Sequence, residues 1–328
     1  MSDVYAATVD VPLAIQFNRE SARCLGWYGN VPEDALKDFP DLFSNPEGSL
    51  EEQKALVVEV LRYQQEFGLH PEDGMLGRGT WLDIVKRFDH VDSSSDYVVF
   101  RGRRVALPRA ESVKPNYKLY PFDKNGGLDL HAGGDFHNWK GLRSRKIRRI
   151  VLHWGGHDAK SCSNALFNRD LSSHVGVERG SVFQWLDFGH LAWHAGYGNT
   201  DSIGIDICQQ PTINFLDLYL KRGLDVRKVK NPARRPDGSV VGEKVVLSLD
   251  SRTEAAVADY VRDLCTVFDV PFILPRNDDG SLSHRIFTKA EFAEYEGVLF
   301  HSHLTATKWD IAPWGAKIFD GVEYVDAT

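Results

Sequence analysis

The sequence is short of the features that would commit it to several broad classes. No stretch of its 328 residues approaches the ~18 consecutive apolar residues that a membrane-spanning helix needs. An excess of positive charge is also missing. Lys and Arg number 39 against 46 Asp and Glu, a formal charge of −7, which argues against a duplex-binding protein held by phosphate contacts. The four cysteines, Cys24, Cys162, Cys208 and Cys265, lie far apart with no CxxC pair. That excludes a disulfide framework and a cysteine-type zinc knuckle, and implies free thiols made in a reducing compartment. The segment from Met1 to Phe17 has no basic n-region and carries Asp3 and Asp10, a poor secretory signal. HExxH, GxSxG and P-loop patterns are all absent.

What remains is a globular composition, 42% apolar and 26% charged, long enough for two or three domains. Residues 1–92 read as helical. Leu56, Val60, Leu61 and Phe67 recur near a helical period, and Gly68 stops that helix. A glycine-punctuated turn follows, from Glu72 to Trp81. Thr80 is placed to cap a second helix that carries Trp81, Ile84, Val85 and Phe88 on one face. The string Tyr63-Gln64-Gln65, Gly68-Leu69, Asp73-Gly74, Gly77 and Thr80-Trp81 resembles the small helical peptidoglycan-binding domain of cell-wall hydrolases. A helical hairpin that only packs on the rest of the chain is the alternative.

Residues 93–146 read as a connector, with a polar start at Asp92-Ser93-Ser94-Ser95-Asp96 and a hairpin or edge strand over Tyr97–Leu107. His131 and His137 have no ligand-like spacing and read as surface residues. The basic run from Lys140 to Arg149 reads as a solvated edge leading into a strand.

Residues 147–328 carry the chemistry. Strands are expected over Ile147–Leu152, His174–Glu178, Val182–Leu186, Ser202–Cys208 and Val298–Phe300, with a tight turn at Arg179-Gly180. Ser251-Arg252-Thr253-Glu254 reads as a capping box opening a helix that buries Val257, Tyr260, Val261, Leu264 and Phe268. Alternating strands and helices predict an α/β (α+β) fold, a mixed central sheet flanked by helices beside the small N-terminal helical domain. His153 and His301 each follow an apolar strand, and Asp310 comes nine residues after His301. Two imidazoles and one carboxylate at adjacent strand ends would leave a fourth position open on a zinc ion, as catalytic sites do.

Together, His153-Trp154, Ser172-Ser173-His174-Val175-Gly176-Val177, Trp193-His194-Ala195-Gly196, Asn199, Ser202-Ile203-Gly204-Ile205-Asp206 and His301 to Lys308-Trp309-Asp310 resemble the zinc-dependent N-acetylmuramoyl-L-alanine amidases. This is the type-2 amidase fold shared with phage lysozyme-type amidases and peptidoglycan-recognition proteins. The resemblance covers residues 147–320. It implies Zn2+ held by His153, His301 and Asp310, with His303 competing for the place of His301. It implies Asp206 as general base, because Ser173 stands where many phage-type members carry a tyrosine. Lys308 would stabilise the oxyanion, and Trp193, His194, Asn199 and His174 would contact substrate. The implied activity is cleavage of the amide between N-acetylmuramic acid and L-alanine by a zinc-activated water, as in a phage endolysin. A non-catalytic peptidoglycan-recognition protein, an amidase effector delivered by a secretion system, and a zinc peptidase of the stem peptide are the alternatives. The partner expected is a muropeptide, met by a monomer without nucleic acid or membrane insertion. The chain would be made in the cytoplasm and act in the envelope after release through a holin or a secretion system.

Overall fold

The computed structural model describes residues 9–25, 31–88, 96–108, 114–122, 139–306, 308 and 310–327. His131, His137 and Trp309 lie outside the described residues. The chain divides into two compact units. One comprises residues 1–106 with 187–190, the other residues 107–186 with 191–328. Among the described residues no helix is long and apolar enough to cross a membrane.

The first unit contains helices α1 (Val11–Leu25), α2 (Glu33–Asp38), α3 (Leu50–Glu66) and α4 (Arg78–Phe88), then an antiparallel hairpin of β1 (Tyr97–Phe100) and β2 (Arg103–Ala106). Its core gathers Phe39, Leu42, Leu56, Val60, Tyr63, Trp81, Ile84 and Val85. Helix α3 starts earlier than its apolar period suggests, because Ser49 and Glu52 form a reciprocal capping box. Gly68, at φ +63°, ends it as expected. Thr80 does not cap α4, which begins two residues before it. The Thr80 hydroxyl is instead buried and accepts from Gln64 Nε2 at 3.2 Å. Gln64 is the hub of this motif, since its Oε1 accepts the N–H groups of Asp73 and Gly74 at 3.1 and 2.9 Å. Gly74 has φ +69°, and a Cβ there would meet Val57 at 2.8 Å, so only glycine fits the turn.

The second unit contains β3 (Lys118–Tyr120), β4 (Trp139–Leu142), β5 (Arg149–Trp154), α5 (Ala159–Asn168), β6 (Val175–Glu178), β7 (Ser181–Gln184), β8 (His190–Ala192, whose first residue belongs to the other unit) and β9 (Ser202–Ile207). There follow α6 (Leu216–Lys221), a hairpin of β10 (Lys228–Arg234) and β11 (Val240–Leu247), α7 (Ser251–Val267), α8 (Lys289–Glu294), β12 (Gly297–Phe300) and α9 (Ala312–Asp320). A six-stranded mixed sheet runs in the order β12-β5-β9-β6-β7-β3. Strands β12, β5, β9 and β6 are parallel, while β6 and β7 form an antiparallel hairpin around Arg179 and Gly180, both at positive φ. Helix α7 is capped one residue earlier than expected. Asp250 is the N-cap, and its carboxylate binds Arg252 and the Asp225 N–H rather than the helix end.

The basic run before β5 is not a solvated edge throughout. Arg143 and Arg149 are buried. Arg149 pairs with buried Asp201 at 2.6 Å and lies 4.0 Å over the Phe292 ring, which offsets the cost of its desolvation. Cys162, Cys208 and Cys265 are buried free thiols.

Candidate metal centre

Parallel register assembles the site. Phe300 of β12 lies beside Leu152 of β5, so His301 leaves its strand next to His153. His153 lies beside Asp206 of β9. Side chains alternate along a strand, so these groups share the face that carries Val151 and Leu299. Asp310 returns through the loop after β12, where its carbonyl accepts the Ser302 N–H at 2.9 Å. One ligand atom from each of His153, His301 and Asp310 falls within 4.8 Å of the others.

A line of contacts fixes which nitrogen of His153 is free. Ser202 Oγ donates to the Gly198 carbonyl at 2.6 Å, so it can only accept from His194 Nε2, 3.2 Å away. His194 Nδ1 then has no proton and accepts from His153 Nε2 at 2.8 Å. His153 Nδ1 is left with a lone pair, and it lies 2.9 Å from His301 Nδ1, itself 3.1 Å from Asp310 Oδ2. Electron-rich atoms crowded in this way repel one another unless a proton or a cation sits among them. The donor set, two imidazole nitrogens and a carboxylate, is the kind that zinc takes, and the residues present fit that ion. Burial holds the His153 pKa well below its ordinary value and pulls His194 down to about 3, so both rings are neutral at pH 7.

Gly204 makes this arrangement possible. A Cβ there would lie 2.7 Å from the His194 ring. Asp206 is buried, and burial pushes its carboxyl up to about 6, with the charge of Asp310 adding to the effect.

The other expected site residues divide into two groups. Trp193 is exposed, with part of its indole presented to solvent, and Lys308 is exposed at a cavity that Ser302 also lines. His174 and Asn199 are buried and engaged within the protein. The His174 Nδ1 accepts from the Gly204 N–H at 3.0 Å, and the Asn199 Oδ1 accepts from the His194 and Ala195 N–H groups at 3.0 and 2.6 Å. Both order the loop and strand that hold His194. His303 is fully buried and tied to backbone, accepting from the Phe300 N–H at 2.9 Å and donating to the Ser283 carbonyl at 2.8 Å. His301, not His303, faces His153. The role of His194 as the partner of His153 was not apparent from the sequence. Its signal is the glycine at 204, the small position that a packed ring requires.

Residues 143–291 match the family model of N-acetylmuramoyl-L-alanine amidase. The chain contains a domain of this amidase family. No curated protein sequence matches the chain. Among solved structures, the amidase domain is similar to the hydrolase AmiA of Staphylococcus aureus in complex with its ligand, at 13% identity over 48% of this chain and 55% of that one, with a TM-score of 0.28. The match thus spans about half of AmiA's own length. PlyL matches at 18% identity over 64% of this chain and 100% of its own, with a TM-score of 0.33. The E. coli amidase AmiD, solved with anhydro-N-acetylmuramic acid-L-Ala-D-γ-Glu-L-Lys, matches at 17% identity over 53% of each chain, with a TM-score of 0.26.

Proposed function

We propose that this chain is a zinc-dependent peptidoglycan amidase that cuts the bond between N-acetylmuramic acid and the L-alanine of the stem peptide. The observation that carries this reading is the convergence of His153 Nδ1, His301 and Asp310 at one sheet edge within an amidase-family domain. A recognition protein would need no such set.

His153, His301 and Asp310 would hold the ion. Zinc bound there supplies Lewis acidity, which makes water a nucleophile near neutral pH and polarises the scissile carbonyl. Asp206, beside His153 in register, takes the proton from the attacking water on its carboxylate and passes it to the leaving amine. The Lys308 ammonium faces the charge that develops on the carbonyl oxygen. His194 keeps the His153 Nδ1 lone pair turned towards the ion. The exposed Trp193 ring offers a flat surface for a sugar.

The N-terminal unit would bind the wall and raise the local concentration of substrate. An endolysin reaching the wall through a holin is the biological setting we favour, with a secreted effector as the second. The test is mass analysis of muropeptides treated with protein stripped of metal and then reloaded with zinc. The reading requires release of free stem peptide by the reloaded protein alone. Cleavage within the peptide would make the chain a peptidase, and intact muropeptides would make it a binding protein.

A further inference from the structure

A cavity of about 320 Å³ opens beside the metal centre, between the β10–β11 hairpin, residues 284–286 and the loop after His301. Four cationic side chains line it, Arg234, Arg235 and Lys244 from the hairpin and Lys308 from the loop, and no Asp or Glu is among its described lining residues. The nearby Glu243 pairs instead with Lys230, at 3.7 Å. Two further polar atoms there, His284 Nδ1 and Ser302 Oγ, are buried without a hydrogen-bond partner. A buried polar atom left unpaired costs about 1–3 kcal/mol, so two of them at one cavity mark a site built to be filled. Burial, and then the charge of Arg234, pull the His284 ring down to about 3, so at neutral pH the ring is uncharged and offers a hydrogen bond rather than a charge. The hairpin is held over the cavity by the Ile286 N–H donating to the Pro236 carbonyl at 2.9 Å.

We propose that this cavity binds a carboxylate of an acidic peptide, and so holds the peptide side of the scissile amide against the metal centre. The proposal rests on the amidase reading for its placement, but not for its chemistry. Guanidinium groups recognise a carboxylate through paired N–H donors, and His284 and Ser302 add a hydrogen bond each deeper in. At roughly 30 Å³ per water-sized group, the volume takes about ten non-hydrogen atoms, the size of an amino-acid residue with its carboxylate. Ser302 and Lys308 connect the two sites, each lying within two residues of a proposed zinc ligand.

The experiment measures binding by calorimetry, at low ionic strength, to the full-length zinc-loaded protein. The probes are the tripeptide L-Ala-D-Glu-L-Lys, the same peptide with both carboxylates amidated, and inorganic polyphosphate. The acid form should bind at least tenfold tighter than the amide form. That preference should vanish in the double variant Arg234→Gln/Arg235→Gln, while its zinc content and melting temperature stay within error of wild type. Lys244→Gln, which alters one cation only, should weaken the acid form in part. Equal binding of acid and amide forms by the wild type would overturn the proposal, as would a preference that survives in the double variant. Polyphosphate displacing the tripeptide and binding more tightly would assign the cavity to a phosphate polymer instead. None of these readouts depends on catalysis. Failure to cut muropeptides would therefore refute the amidase reading without touching the cavity, and loss of the acid preference would do the reverse.

Discussion

Asp206 should be a residue that the fold would be more stable without. Its side chain is buried beside His153, and its carboxyl is pushed up to about 6 from an ordinary value near 4. The unfolded chain gives up this proton near pH 4, and the folded chain keeps it until about pH 6. Between those values the folded state binds more protons, so stability falls as pH rises, and the penalty is complete above pH 6. Raising a carboxyl from about 4 to about 6 costs the folded, ionised state ~3 kcal/mol. In metal-depleted protein, Asp206→Asn removes the charge and keeps the shape. At pH 7.5 the variant should therefore be more stable than wild type by ~3 kcal/mol, or roughly 6–12 °C in melting temperature for a unit of this size. At pH 4, where wild-type Asp206 is already neutral in the fold, the gap should close.

The measurement is thermal unfolding of both proteins at the two pH values, followed by circular dichroism after chelator treatment. Taking the difference between variant and wild type cancels the titrating groups that do not interact with Asp206. With zinc restored, the same variant should retain the ion and lose kcat by roughly 10²–10⁴-fold, the share of a general base. A variant that is equally displaced at both pH values, or less stable at pH 7.5, would refute the argument from burial. Near-wild-type kcat would refute the role as base, and loss of zinc would make Asp206 a support for the ligands.

Four further substitutions probe the architecture. His301→Ala should abolish zinc retention. His303→Ala should keep the ion yet destabilise the fold by about 1–3 kcal/mol for each backbone group left unpaired, and elemental analysis with urea unfolding reverses the assignment if the outcomes are exchanged. Arg149→Met leaves Asp201 buried without its cation and should cost ~3–5 kcal/mol in urea unfolding, so a loss under about 1 kcal/mol would show that the pair is dispensable. Gly204→Ala drives a methyl into the His194 ring and should lower zinc affinity by roughly 10–100-fold in a chelator competition, and unchanged affinity would mean that His194 does not orient His153.

Some of this was legible in the sequence because it follows from local rules. A short apolar run followed by histidine reads as a buried strand with an imidazole at its carboxyl end, and β5 and β12 place His153 and His301 in this way. The Arg179-Gly180 turn follows from the positive φ that glycine tolerates. The misread parts depend on partners distant in the chain. Arg143 and Arg149 sit in a run that looks solvated, and only the position of Asp201 and Phe292 makes burial of Arg149 tolerable. His174 and Asn199, expected to contact substrate, also make hydrogen bonds within their own domain, His174 with the Arg143 side chain and the Gly204 N–H and Asn199 with the His194 and Ala195 N–H groups. The β10–β11 hairpin gave no strand signal, since most of its side chains are exposed and Pro232 interrupts its pattern.

The same burial that sets these residues apart also explains how they work together. A low-dielectric edge disfavours every charge, so it keeps His153 and His194 neutral and raises Asp206, shifts of opposite direction from one cause. Neutral imidazoles are the form that binds a metal, and they need no proton to be displaced at pH 7. A divalent cation among the three ligands would favour ionised Asp206 further, bringing its pKa back towards the ordinary range. A bound ion would thus offset part of the ~3 kcal/mol that Asp206 costs the metal-free fold. Depth at the carboxyl ends of these strands, set by the parallel register of β12, β5 and β9, is what would link metal binding to the protonation of Asp206.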